Sequence, residues 1–205
     1  MTYLPFMAGK KILPGVFPIL LMAAMFAASC NNNDYTPKPR GYFRIQLPAK
    51  QYRLLDSIYP YTFEYPVYAR ISPDPMALQE TSWINLEFPQ FRGKLHISFK
   101  KVENLKELDQ FMEDSRKLAL KHIPKASGIE QTALVNTSNK VFGLGYTIKG
   151  VGAASPYQFY LTDSTRHFLR GAMYFDAVPN SDSLQPVIEF VQKDIDHLIN
   201  TLRWK

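Results

Sequence analysis

From Tyr42 onward the chain alternates apolar and polar positions. Phe43, Ile45 and Leu47 share one face and Tyr42, Arg44 and Gln46 the other, which predicts a strand. Residues 61–65 and 67–71 continue in the same aromatic, β-rich style. Pro60, Pro66, Pro73 and Pro75 interrupt them, and a residue without an N–H suits an edge strand or a turn better than a sheet centre. In residues 83–88 the side chains of Ile84, Leu86 and Phe88 align, and in residues 94–100 those of Leu95, Ile97 and Phe99. The short link through Pro89 and Gly93 joins these two runs as a β-hairpin.

The period then changes. Leu105, Leu108, Phe111, Met112, Leu118 and Ala119 recur at steps of three and four, which predicts an amphipathic helix over 105–121. Asn104 and Glu107 supply its start and Pro124 its end. Strands return at 130–136, 141–148, 158–162 and 168–175, separated by Asn, Gly, Ser and Pro clusters. The last of these is apolar on both faces, as a central strand covered on both sides must be. A helix opening at Ser183 places Val187, Val191, Ile195, Leu198 and Leu202 on one stripe, with Pro186 in its first turn. Strands, a helix, four strands and a closing helix make an α+β domain, an antiparallel sheet with two main helices packed on it. In element order it resembles the sandwich domains of the PsbP and Mog1 type.

Ahead of this pattern stands a segment of another kind. Lys10 and Lys11 precede residues 12–28, which carry no charge and end in small residues before Ser29 and Cys30, the only cysteine. That is the layout of a bacterial lipoprotein signal. A spanning helix needs about 20 continuous apolar residues, whereas Pro14, Gly15 and Pro18 interrupt this run, and a soluble helix would have a polar face. The position three before the cysteine is Ala27, where such signals usually carry Leu. The expected organisation is a signal peptide over 1–29, an acylated Cys30 with a polar, proline-punctuated tether over 30–40, and a single α+β domain over 41–205.

Charge and candidate chemistry change this picture little. The formal net charge is +6, two of it from Lys10 and Lys11, with no basic run, which argues against a nucleic-acid partner. His96, His122, His167 and His197 are scattered, and one cysteine excludes thiolate zinc sites, so no metal and no cofactor is expected. Gly143 and Gly145 lack the third glycine of a dinucleotide loop and fall in a strand. The one stretch with triad-type residues is 162–167. Asp163, Ser164 and Thr165 are turn formers, and a Ser, His, Asp relay draws its members from separate segments, so this stretch is expected to be a turn and the protein not to be an enzyme. Glu113 with Asp114, and Asp194 with Asp196, are expected on solvated helix faces, since positions one or two apart do not face each other. Fourteen Phe and twelve Tyr leave room for exposed aromatics at an interface.

Six stretches, PKPRGYFRIQLP, YTFEYP, WINLEFPQFRGKLHISF, EDSRKLALKH, QFYLTDSTRHFLRGAMYF and the terminal LRWK, together resemble the gliding motility lipoprotein GldD family of the Bacteroidota. The resemblance implies a lipid-anchored envelope protein of the gliding apparatus, linked with other Gld lipoproteins to type nine secretion. It brings no catalytic residues. The expected function is therefore that of an accessory protein that assembles or stabilises other envelope components. Its partners would be the membrane, through the lipid on Cys30, and other gliding and secretion lipoproteins. Asp163, Arg166, His167 and Arg170 offer charge at a hairpin as a candidate contact. The alternative is a module binding a small ligand or glycan through Tyr157, Tyr160 and Tyr174. Asn31, Asn32 and Asn33 form no acidic cluster after the cysteine, so a periplasm-facing anchor in the outer or inner membrane is expected.

Overall fold

The structure, a computed structural model, describes residues 45–56, 58–75, 77, 80–150, 152–176 and 181–205, with side chains from 184 in the last stretch. The signal segment, Cys30 and the tether lie outside these residues, as does the start of the strand expected from Tyr42. In chain order the elements are β1 (Tyr52–Leu54), β2 (Tyr61–Thr62), β3 (Glu64–Pro66), β4 (Arg70–Pro73), β5 (Ile84–Phe88) and β6 (Gly93–Lys101). Then follow α1 (Leu105–Leu120), β7 (Gly128–Asn136), β8 (Val141–Lys149), β9 (Tyr157–Thr162), β10 (His167–Phe175), α2 (Ser181–Thr201) and β11 (Arg203–Trp204).

Seven strands form one antiparallel sheet in the order β4-β5-β6-β10-β9-β8-β7. The fold is α+β. β10 runs at the centre between β6 and β9, as its two apolar faces require. One face carries Ile84, Leu86, Leu95, Ile97, Leu161, Leu169 and Met173, which form the main core with Val187, Val191, Ile195, Leu198 and Leu202 of α2. Burying such side chains contributes about 1.5–3 kcal/mol each. The other face holds a smaller core in which Leu108 and Ala119 of α1 meet Tyr146, Tyr160 and Phe168, with Phe111 and Met112 packed against them. α1 begins where expected, because the Asn104 side chain accepts the Glu107 N–H at 3.0 Å. β1 pairs with β3, and β11 with β2, as two further small sheets.

Several expectations are corrected. Residues 45–50 form no strand: Pro48 has no N–H to give, and the first pairing partner lies further on, at Tyr52–Leu54 against Glu64–Pro66. Val67 and Tyr68 are a turn closed by the Ala69 N–H on the Pro66 carbonyl, so the strand there starts at Arg70. α2 begins at Ser181 and not at Ser183, which puts Pro186 beyond its first turn. Leu105 is 71% exposed, off the apolar stripe of α1. Asp194, expected in solvent beside Asp196, is buried. Gly143 and Gly145 serve packing inside β8: a Cβ on Gly143 would lie 1.8 Å from the Tyr160 carbonyl oxygen, and one on Gly145 2.6 Å from the Tyr157 hydroxyl.

Candidate functional site

α1 packs over β9 and β10 and leaves the β6 side of the same sheet face open. The result is a cleft of about 520 Å³, within the range of small-molecule sites. Period two along the strands builds its floor: His96, Ser98 and Lys100 come from β6, and Phe168, Arg170, Ala172 and Tyr174 from β10. Register sets Ser98 opposite Arg170, His96 opposite Ala172 and Lys100 opposite Phe168. One wall is α1, through Phe111, Asp114, Ser115 and Leu118. The other is Asp74 with Trp83, whose indole N–H donates to the Phe99 carbonyl at 2.7 Å.

Arg170 is the chemical centre of this floor. Its Nη2 donates to Gln158 Oε1 at 2.6 Å, and its side chain also bonds that of Tyr174. The Gln158 amide, itself buried, lies 2.9 Å from His122 Nε2, so with Oε1 occupied its N–H₂ donates and the imidazole nitrogen accepts. Burial pushes the Arg170 pKa down, opposed by Tyr174. Burial likewise lowers the pKa of His122, and the Arg170 charge adds to it. His96 stands 4.0 Å from Asp74 Oδ2 and edge-on to Tyr174 at 5.5 Å. Its pKa is lowered by burial, against the pull of Asp74. Lys100 Nζ sits over the Phe111 ring at 4.4 Å. Asp114 accepts from Gln110 at 2.8 Å.

Residues 162–167 form the expected turn. Asp163 Oδ1 accepts the backbone N–H groups of Thr165, Arg166 and His167 at 2.9, 2.8 and 3.0 Å, and Oδ2 lies 2.8 Å from His167 Nδ1. The Asp163–His167 pair does form, but the imidazole stacks on Trp204 at 5.3 Å and the Ser164 N–H is turned back onto Thr162 Oγ1. This is turn architecture. Arg166 is exposed at the tip, whereas Arg170 faces the cleft and the His167 ring packs toward Phe99 and Trp204 on the opposite face. Tyr157 and Tyr160 are buried in the two cores, so of the three candidate tyrosines Tyr174 alone lines the cleft.

Burial disfavours the Asp163 charge, but the N–H groups of His167, Arg166 and Thr165 outweigh it and hold the carboxyl well below the usual range. A depressed folded pKa contributes stability that is present above the unfolded value of about 3.9 and lost as pH falls below it toward the folded value. Asp163→Asn keeps an acceptor but not the charge. It is expected to cost about 1–2 kcal/mol at pH 7, and urea titrations should show that difference narrowing below about pH 3.9. A difference independent of pH would contradict the assignment.

A third polar cluster was not anticipated. The Asp194 side chain, with no exposed surface, pairs with Lys50 Nζ at 2.7 Å and accepts from the hydroxyls of Tyr52, at 3.0 Å, and Tyr68. Lys50 also donates to the Phe190 carbonyl at 2.8 Å and lies over the Phe190 ring at 3.3 Å. Burial, with the Asp194 hydrogen bond, pushes the Tyr52 pKa up to about 12. No cluster of three metal-ligating side chains occurs among the described residues.

Fold and site together define an antiparallel α+β domain with a ligand-sized cleft on one sheet face and no assembled nucleophile at its triad-like turn. The chain belongs to the gliding motility lipoprotein GldD family, which it matches over residues 32–204. It is thus a gliding-motility-associated envelope lipoprotein, anchored at a membrane, of a family not known as enzymes. Among the described residues no helix is long and apolar enough to cross a membrane. No curated protein matches the sequence. Among solved structures the chain is similar to cyanobacterial PsbP from Synechocystis, at 10% identity and a TM-score of 0.43, over 80% of this chain and 98% of that one.

Proposed function

We propose that the protein is an accessory component of the gliding and type nine secretion machinery, held at the membrane by acylated Cys30 and facing the periplasm, where it assembles or stabilises other envelope components through protein contacts. Family membership carries this reading. Geometry supplies two surfaces suited to it. One is the tip of the Asp163 turn, with exposed Arg166. The other is β7, a nine-residue edge strand in unbroken register with β8, without Pro or Lys and with Val135 66% exposed. Natural sheet edges of this length are usually blunted by such residues, by bulges or by a cover, because an unpaired row of N–H and C=O groups pairs readily with another chain.

The test is crosslinking in cells from photoreactive residues placed at 135 and 166, followed by identification of the captured proteins. Gliding or secretion envelope components are expected at one or both positions, and Arg166→Glu should abolish those at the tip with abundance unchanged. Capture of none of them at either position would overturn the assembly role. In parallel, palmitate labelling should be present in the wild type and absent from Cys30→Ala. Labelling that persists would move the anchor elsewhere.

A further inference from the structure

Buried charges in proteins are paired, because an ion taken out of water without a counter-charge is costly. Arg170 lies half-buried on the cleft floor, and the partners of its side chain, Gln158 and Tyr174, are neutral, so its charge meets the cleft without a paired counter-charge there. A guanidinium has five N–H donors and stays charged at any accessible pH. Gln158 is held in place from behind by His122, so the group is positioned and aimed. Lys100 adds a second cation on the adjacent strand, one step along the register. Of the cleft's carboxylates, Asp114 accepts from Gln110 and Asp74 stands by His96.

We propose that this cleft binds a small organic acid: a single carboxylate received by Arg170, with an apolar body lying against Phe111, Phe168 and Trp83. The apolar part follows from Trp83 on one wall and Phe111 and Leu118 on the other. Restriction to one negative charge follows from Asp74 and Asp114 at the rims, which would repel a polyanion. Arg170 and carboxylate match as a fork to two oxygens, giving direction as well as attraction. This site is independent of the contact surfaces assigned to assembly, and either can fail without the other.

Trp83 reports on occupancy. In the full-length protein carrying Trp204→Phe, so that Trp83 alone emits, titration with 4-phenylbutyrate is expected to change the fluorescence saturably in the millimolar range or below. The uncharged 4-phenylbutyramide should bind at least about tenfold more weakly, as the loss of one charge-assisted pair implies. Inorganic phosphate should give no comparable response. Arg170→Gln should lose the carboxylate preference. Because that change also disturbs Gln158, Ser98→Phe gives a second arm, filling the floor opposite Arg170 while leaving the guanidinium in place. It should abolish the response with the melting temperature retained. Absence of any saturable response, equal binding of the amide, or full affinity in Ser98→Phe would overturn the proposal. Tighter binding of phosphate would do the same, and so would tighter binding of an acetylated pentapeptide ending in Phe, which would make the site a receptor for chain termini.

Discussion

Asp194→Ala is expected to lower the melting temperature by roughly 6–20 °C, the largest effect of any single substitution outside the apolar core. Removing one partner of a buried ion pair costs about 3–5 kcal/mol, and with the Lys50 side chain 28% exposed the expected loss lies toward the lower end of that range. In a domain of this size each kcal/mol moves the midpoint by about 2–4 °C. Three groups depend on this carboxylate at once: the Lys50 ammonium and the hydroxyls of Tyr52 and Tyr68. Burial already pushes the Lys50 pKa down against the pull of Asp194, so without its partner the ammonium is left with neutral groups, the Phe190 carbonyl and ring and the Tyr68 hydroxyl. Asp194→Asn keeps an acceptor for the tyrosines and should fall between alanine and wild type. A midpoint for Asp194→Ala within about 2 °C of wild type would mean that water reaches the site and screens the charge.

The place of this cluster matters for an anchored protein. Lys50 and Tyr52 come soon after the stretch expected to be the tether, and Asp194 ties them to the helix at the other end of the chain. β1 adds to the clamp: Tyr52 stacks on His197 at 3.7 Å, and the Glu64 N–H of β3 donates to Thr201 Oγ1 at 3.0 Å. Tension on the chain ahead of Lys50 would therefore be resisted by α2 and the main core. A tethered domain whose entry segment is joined to its closing helix resists pulling as a unit.

What could be read from the sequence follows from which forces act locally. β5 and β6 were legible because each alternates over at least five residues, β7 to β10 because their β-rich runs are bounded by turn formers, and α1 because its stripe and its Asn104 cap agree. β1 and β11 were not, since two or three residues carry no period, and the strand expected over 61–65 divides into β2 and β3 with different partners. Asp194 misled as well. Its neighbour Asp196 is in solvent, and helical spacing alone does not tell that Lys50 and two tyrosines, more than a hundred residues earlier, close over one carboxylate and not the other. In the sequence Arg170 stands only as a charge near the hairpin. Counting by twos from His167 would have put it with Phe168 on the opposite face, but the cleft above it depends on where α1 comes to rest, which no local pattern states. The Asp163 turn was legible because its chemistry lies within five residues.

Gly171→Ala should destabilise the domain by about 1–3 kcal/mol, as overpacking of a filled core does, although it adds a single methyl group. Gly171 sits opposite Phe159 in the register of β10 and β9, and the phenyl ring lies over it. A Cβ there would come within 2.2 Å of Cζ and 2.3 Å of Cε1. The ring cannot withdraw, since Phe159 is 1% exposed in the main core and its neighbour Tyr157 is buried with it. The residue is thus a glycine for want of space beneath an aromatic ring. Phe159→Leu shortens the side chain and opens a cavity, costing on its own about 1–3 kcal/mol. If the clash is the cause, the two changes relieve each other: the methyl group occupies part of the space the ring vacates, and the double variant should be less destabilised than the sum of the single ones by about 1–2 kcal/mol. Urea denaturation of the four proteins reads this coupling directly. Strict additivity would place the cost of Gly171→Ala in the backbone of β10 and detach it from Phe159.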